Sequence, residues 1–303
     1  MTLARRHEVF AHLHASGCFV LPNPWDAGSA RMMAAMGAKA LATSSAAHAF
    51  TLGRPDMGSV SRDEALAHAE AILAATSLPV SGDFENGFAD DPDGVAQTVR
   101  LAGGVGLSGC SIEDTQMAGG TPAYPFEQAV ERIRAAVAAA RALKRPFMLC
   151  ARADGVMNGT YDLAEGIRRL LAFEAVGADV LYLPVPPGRA ELQAVLSAVK
   201  KPVNALAAGP LRALTVAELA AMGVRRISIG SQIARVTHAA IRDAVAAMLG
   251  PGSFVPLTQA AGGEEIDALL RRGAGPRGWA GGQPPQDRVP GPGTNMDKAG
   301  DDR

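Results

Sequence analysis

Several things are scarce in this chain. Its three cysteines (Cys18, Cys110 and Cys150) stand far apart among 303 residues, with no CxxC pair. That argues against a disulfide framework or a structural zinc site and fits a reducing compartment, so a cytoplasmic location is expected. Aromatic residues make up 5%, too few to suggest a stacking platform for single-stranded bases. The net charge is −1, with 29 basic against 30 acidic residues, which leaves no footprint for nucleic acid or an anionic membrane surface. No apolar run reaches the roughly 18 residues of a membrane-spanning helix. The first ten residues carry Arg5, Arg6, His7 and Glu8 with no apolar run behind them, so no secretory signal is expected. Histidines are few, and His7, His12, His14 and His68 are read as solvated residues of helices or their approaches. There is no G-x-S-x-G elbow and no Cys/His pair of the kind that activates an acyl nucleophile.

What is present is a hydrophobic fraction of 48%, enough for a real core. Short apolar runs at 19–21, 40–43, 80–83, 109–113, 147–151, 180–183, 203–206 and 227–230 read as strands. Helical spacing fills the intervals at 27–36, 63–75, 92–102, 126–143, 162–176, 189–199 and 216–222, with a last helix at 231–249. Strands alternating with helices imply a parallel sheet, and eight such units match an α/β protein of the (β/α)8 TIM-barrel class. An open doubly wound sheet is the rival, though it usually needs fewer units. Gly37, Gly177 and Gly223 each end a helix two or three residues before a strand, where a left-handed C-cap is needed. Pro79 and Pro202 stand where strands begin. Residues 1–272 are therefore expected to form the barrel domain with a C-terminal helical extension that packs on a neighbouring element or a partner subunit. Glycine and proline supply 13 of residues 273–303, which read as a disordered tail.

Chemistry concentrates at expected strand ends. Asp83-Phe84-Glu85-Asn86-Gly87 closes the third strand, and alternate strand residues face one side. The fourth strand ends in Ile112-Glu113-Asp114, so three or four carboxylates converge at the C-terminal face, where barrel enzymes keep their sites. Carboxylates that close need protons or a cation, and a hard divalent ion such as Mg²⁺ suits them. Arg152, ending the fifth strand before Asp154, can hold that cluster or clamp a substrate carboxylate. Asn204 on the seventh strand is a candidate donor to the same pocket. Thr43-Ser44-Ser45 offers hydroxyl and amide groups to an anion, with His48 shortly after. Asp56 sits in a turn-rich loop over the mouth, where a turn-forming role is the simpler reading. Gly104–Gly109 spells G-x-G-x-x-G but precedes a strand, and so lacks the dinucleotide-binding context.

Taken in order, Asn23-Pro24-Trp25-Asp26-Ala27-Gly28-Ser29-Ala30-Arg31, Thr43-Ser44-Ser45, Gly53-Arg54-Pro55-Asp56-Met57-Gly58, Asp83-Phe84-Glu85-Asn86-Gly87, Ile112-Glu113-Asp114 and Ala151-Arg152-Ala153-Asp154 resemble the motifs of the isocitrate lyase/phosphoenolpyruvate mutase superfamily. The resemblance implies a barrel whose eighth helix is exchanged between subunits of a homodimer or homotetramer. It implies Mg²⁺, or Mn²⁺, held by Asp83, Glu85 and Glu113 largely through water. It also implies that Ser44, Ser45, Asp56 and Arg152 line the substrate site. The lyases of that superfamily carry a Lys-Lys/Arg-Cys-Gly-His loop whose cysteine is the acid/base. Here residues 114–124 read Asp-Thr-Gln-Met-Ala-Gly-Gly-Thr-Pro-Ala-Tyr, shortened and without cysteine, lysine or histidine. The mutase and hydrolase branches use lysine or asparagine there, also missing. Tyr124 and His48 are the remaining acid/base candidates. The expected activity is a metal-dependent lyase or decarboxylase of a small 2-oxo or 2-hydroxy carboxylic acid, passing through a pyruvate-type enolate. A C–P bond enzyme of the mutase or phosphonopyruvate hydrolase type, and a barrel that binds a metabolite without turning it over, are the alternatives.

Overall fold

The computed structural model describes residues 1–117 and 122–274. The tail expected from residue 273 onward thus lies, from 275, outside the described residues, as does the middle of the shortened loop.

Eight parallel strands form one sheet in the order β1-β8-β7-β6-β5-β4-β3-β2, a (β/α)8 barrel. They are β1 (Phe19–Leu21), β2 (Leu41–Ala42), β3 (Val80–Asp83), β4 (Gly109–Glu113), β5 (Met148–Arg152), β6 (Val180–Tyr182), β7 (Val203–Leu206) and β8 (Arg226–Ser228). The helices are α1 (Leu3–Ala15), α2 (Ala27–Ala35), α3 (Ser45–Thr51), α4 (Arg62–Ala75), α5 (Pro92–Gly104), α6 (Phe126–Ala142), α7 (Gly155–Asn158), α8 (Leu163–Ala175), α9 (Arg189–Ala198), α10 (Val216–Met222), α11 (Gln232–Leu249) and α12 (Gly263–Gly273). Each strand and helix expected from the sequence is present, with ends moved by one or two residues. Arg226 belongs to β8, one residue earlier than expected. Helices α3 and α7 were not anticipated, and α1 was expected only as the helix or approach carrying His7, His12 and His14.

Local sequence explains the boundaries. Ser61 and Thr215 accept hydrogen bonds from the amides of Glu64 and Glu218, whose carboxylates reach back, forming capping boxes for α4 and α10. Gly37, Gly177 and Gly223 all have positive φ, as their helix-ending role requires.

Strand residues alternate between two environments. Val80, Cys110, Ile112, Leu149, Ala151, Leu181 and Val203 face outward or sit in the sheet–helix layer, and all are buried. Facing inward at one level are register partners that run Glu113–Arg152–Tyr182–Asn204–Arg226 around the wall. At the other end, α1 plugs the barrel with Phe10, packed with Phe19, Leu21, Ala40 and Ala42. No strand ladder joins β1 to β2. Asn23 bridges that seam, donating from Nδ2 to the Thr43 carbonyl at 2.9 Å and accepting from the Ile229 and Gly230 amides at 3.0 and 2.9 Å.

Two elements depart from a simple barrel. α12 packs on α2, so the C-terminal extension returns to its own chain. α11 follows β8 but buries only Ala234, and it exposes Ile233, Val236, Ile241, Val245 and Leu249. No helix among the described residues is long and apolar enough to cross a membrane.

The histidine expectation needs correction. His7 and His14 are buried on the inner face of α1, because that helix is the barrel's plug and not a free N-terminal arm. His14 stands edge-on to Phe10 and Phe19, and its Nδ1 bonds to the Phe10 carbonyl at 2.8 Å. Burial, with Arg226 nearby, lowers its pKa to about 3. The unfolded chain takes up this proton below pH 6.5 while the folded chain does not, so stability is full above pH 6.5 and falls with pH toward 3. By pH 4 the loss from His14 alone is roughly 3 kcal/mol. Urea unfolding at pH 7 and pH 4 should show that gap narrowing in His14→Phe; an equal gap would assign the acid sensitivity elsewhere.

Candidate active site

A cavity of about 330 Å³ opens at the C-terminal ends of the strands. One wall is acidic: Asp56, Asp83, Glu85 and Glu113 all line it, beside Ser44, Ser45 and Arg152. Asn204 lines the opposite wall with Tyr182, Arg226 and Ser228.

Asp83 ends β3 and is held from several sides. The Ser45 amide and hydroxyl donate to Oδ2 at 3.0 and 3.2 Å, and the Ser111 hydroxyl donates to Oδ1 at 3.0 Å. Its own amide donates to Thr43 Oγ1 at 2.8 Å, tying β3 to β2 beyond the ladder. Ser44 instead caps α3, accepting from the Ala47 amide at 3.3 Å.

The strand expectation for Glu85 was right in direction and wrong in conformation. The chain leaves the extended form after Asp83, and Glu85 adopts a φ of 46°. Its carboxylate still meets the cavity, where Oε1 accepts from the Gly58 amide at 3.2 Å. Its Oε2 is buried with no hydrogen-bond partner. Burial pushes the Glu85 carboxyl up to about 7, opposed by the Gly58 bond and assisted by Asp83 and Asp56. Asp56 is also raised, chiefly by burial, and its Oδ1 lacks a partner. So Asp56 belongs to the cavity wall.

Arg152 meets three carboxylates at once. Nη1 lies 2.9 Å from Asp83 Oδ1 and Nη2 lies 2.9 Å from Glu113 Oε2. Nε and Nη2 grip Asp154 at 3.1 and 2.5 Å. Of the two uses open to this arginine, the geometry displays the first: it binds the cluster together. Burial works against its charge, but Asp154, Glu113 and Asp83 together hold its pKa well above the ordinary value. One guanidinium does not neutralise four carboxylates. Burial accordingly raises Glu113 and Asp154, with Arg152 opposing the shift in each.

Asp114 does not join the cluster. It turns away to accept from Arg169 Nη1 at 2.9 Å, Tyr161 Oη at 2.7 Å and the Asp154 amide at 2.8 Å. It thereby fixes the loop after β5 from behind. The proposed acid/base residues also lie elsewhere. Tyr124 is buried outside the cavity, where its hydroxyl donates to Asp90 Oδ1 at 2.5 Å and accepts from Asn86 Nδ2 at 2.9 Å. The Arg132 guanidinium stacks 3.8 Å from its ring. His48 stacks on His68 with ring centroids 3.8 Å apart, behind the serine loop. Burial lowers its pKa to about 4.

The sequence reading missed Tyr182, Arg226 and Ser228. Tyr182 and Ser228 lie on inward positions of strands read from the sequence, whereas Arg226 stands one residue before the expected start of β8. Tyr182 sits beneath Arg152, whose guanidinium carbon is 5.2 Å from its ring centre. Burial drives its phenol above the ordinary range, so it keeps its proton. Asn204 donates to Ser228 Oγ at 2.9 Å and accepts from Arg226 Nε at 2.8 Å.

A family model described as phosphoenolpyruvate phosphomutase matches residues 10–249. The chain belongs to that family. It is thus an enzyme of the isocitrate lyase/phosphoenolpyruvate mutase superfamily. A Paraburkholderia xenovorans oxaloacetate decarboxylase is 29% identical, over 88% of this chain and 93% of its own. The 2,3-dimethylmalate lyase of Eubacterium barkeri is 30% identical over 73% and 77%. Among solved structures, a protein of Burkholderia cenocepacia described as a lyase/mutase superposes with a TM-score of 0.84 at 45% identity, covering 88% of this chain and 96% of that one. The family expectation drawn from the strand-end motifs therefore holds.

Replacing Arg152 with methionine leaves Asp83, Glu113 and Asp154 buried without their cation. Arg152→Met should lose about 3–5 kcal/mol of stability in metal-free protein at pH 8. The deficit should shrink as pH falls and those acids take up protons. Denaturant unfolding at pH 8 and pH 5 reads both effects.

Proposed function

We propose that this family member is a divalent-cation-dependent lyase or decarboxylase of a small 2-oxo or 2-hydroxy carboxylic acid, acting through a pyruvate-type enolate. The observation that carries the reading is the meeting of Asp83, Glu85, Glu113 and Arg152 in one cavity of metabolite size.

The donor set fits a hard cation. It consists of carboxylate oxygens, and Glu85 Oε2 is buried and unpartnered. Among the described residues, no three His, Cys, Asp or Glu side chains are arranged to ligate one ion directly. Asp83, Glu85 and Glu113 would therefore hold Mg²⁺ or Mn²⁺ with water completing the shell, as Mg²⁺ favours. Bound there, the cation supplies Lewis-acid stabilisation of the negative charge that builds on an enolate oxygen. Ser45 and Arg152 orient the substrate carboxylate against that wall. Tyr182, which keeps its phenolic proton, offers a donor on the other side.

Decarboxylation of a 2-oxo diacid asks least of these residues, since it needs no base and only a proton returned to carbon. Cleavage of a 2-hydroxy acid needs a base on the hydroxyl, and neither Tyr124 nor His48 reaches the cavity. The oxaloacetate decarboxylase relative supports the first of these reactions. Proton NMR with Mg²⁺ and a panel of oxaloacetate, dimethylmalate, 2-methylisocitrate, isocitrate and phosphonopyruvate tests the reading. Pyruvate should appear from a carboxylate substrate, and should vanish with EDTA and fall at least 100-fold in Asp83→Ala. Turnover of phosphonopyruvate alone would move the enzyme to C–P chemistry.

The exposed apolar stripe of α11 supports a homo-oligomer in which this helix packs on a neighbouring barrel. Light scattering should then give a dimer or tetramer mass, and Val236→Glu combined with Ile241→Glu should reduce it to a monomer. A monomeric parent protein would refute the exchange.

A further inference from the structure

A second opening lies beside the catalytic cavity and differs from it in charge. It is a groove of about 720 Å³ between the end of α3, the turn Gly209–Ala213 and the first three turns of α11. Arg54, Arg212, Arg235, His238 and Arg242 line it, with no carboxylate among the described residues of its wall. The arginines come from three separate segments: Arg54 from the loop after α3, Arg212 from the turn after β7, and Arg235 and Arg242 from α11. On α11 the lining keeps helical spacing, with Arg235, Ala239 and Arg242 on one face. Ile233 and Ile241 lie off this face, so the contact proposed for the apolar stripe does not require it.

Little in the protein answers this charge. Arg54 pairs with Glu64 at 2.9 Å and Arg242 with its neighbour Asp243 at 2.8 Å, two exposed contacts with acids outside the groove wall. Arg212 donates from Nε to the Gly209 carbonyl at 3.3 Å and meets no carboxylate among the described residues. The Arg235 guanidinium has no partner among them at all. Elsewhere on the surface Arg5, Arg134, Arg141 and Arg168 each meet an acid. Like charges gathered around one groove repel one another, and an anion between them relieves the repulsion. A single carboxylate satisfies one guanidinium fork. Guanidinium groups from three segments suit an anion with charge along its length, as in a polyphosphate chain. Phe50 and His238 stand edge to face on the same wall, with ring centroids 5.5 Å apart.

We propose that this groove binds a polyphosphate-bearing ligand. Arg212, Arg235 and Arg242 hold its phosphoryl oxygens, and the Phe50–His238 pair lies beside the group the phosphate chain carries. Gln232 and Arg235 line both openings, so the ligand borders the reaction cavity without entering it. The acidic wall of that cavity repels such an anion, whereas the groove attracts it.

Calorimetric titration of the full-length protein, free of divalent cation, keeps the acidic cavity closed to polyanions and isolates the groove. Inorganic triphosphate should bind saturably at one site per chain, and citrate, whose charges sit on three carboxylates, more weakly. Arg212 and Arg242 are both exposed, so Arg212→Gln combined with Arg242→Gln should not lower Tm. The same double variant should weaken triphosphate roughly 10-fold, as the loss of two exposed charge contacts predicts. ATP compared with triphosphate shows what the chain carries. Tighter ATP makes the ligand a nucleotide, equal affinity makes the phosphate chain the recognised part, and both results sustain the site. No saturable binding, citrate as tight as triphosphate, or a double variant that binds as the parent does would overturn the inference. The readout involves no turnover, so it stands or falls separately from the reaction proposed for the cavity.

Discussion

The arrangement of the site depends on one guanidinium surrounded by too much negative charge. Arg152 touches Asp83, Glu113 and Asp154, and Glu85 adds a fourth carboxylate to the same neighbourhood. In water such a group would spread apart. Here each acid is fixed by backbone that the barrel dictates, so the excess charge is relieved through protonation or by a second cation. The raised carboxyls of Glu85 and Glu113 are the first form of relief, and a divalent ion is the second. In the proposed function, that second cation would be the divalent ion.

Residues away from the cavity maintain this tension. Arg132 is fully buried and donates to the carbonyls of Asn86, Ala89 and Glu113, clamping together the segments that follow β3 and end β4. Tyr124, under the same guanidinium, binds Asn86 and Asp90. Its place is in the scaffold that aims Glu85 and Glu113. Asp114 plays the corresponding part for the segment after β5, with Arg169 and Tyr161.

Much of the fold could be read from the chain because a barrel repeats its signals. Apolar runs recur eight times, backed by helix-ending glycines at three places and strand-opening prolines at two, and errors at one boundary do not propagate. Asp83, Glu113 and Arg152 were legible for a simpler reason: strand alternation aims them, and strand ends are where such sites lie. The failures share a cause as well. Glu85 leaves the extended form, and only its short reach kept the forecast correct. Tyr124, His48, His7 and His14 were judged from residue type and local spacing, whereas their burial is decided by tertiary partners far along the chain. Tyr182 was overlooked because the sixth strand was read as running on to Leu183, and Arg226 because the eighth was read as starting at Ile227.

The seam at Asn23 has a consequence for how the molecule is made. A single side chain near the start of the chain joins β1 to the backbone of Ile229 and Gly230, more than 200 positions later. Local βα units can form as they emerge, but this staple waits for nearly the whole barrel to be synthesised. Closure therefore comes late in folding and carries a large loop-entropy cost. Until β8 arrives to pair with it, β1 presents an open strand edge, and the nascent chain passes its most aggregation-prone interval with one side of the barrel wall still missing.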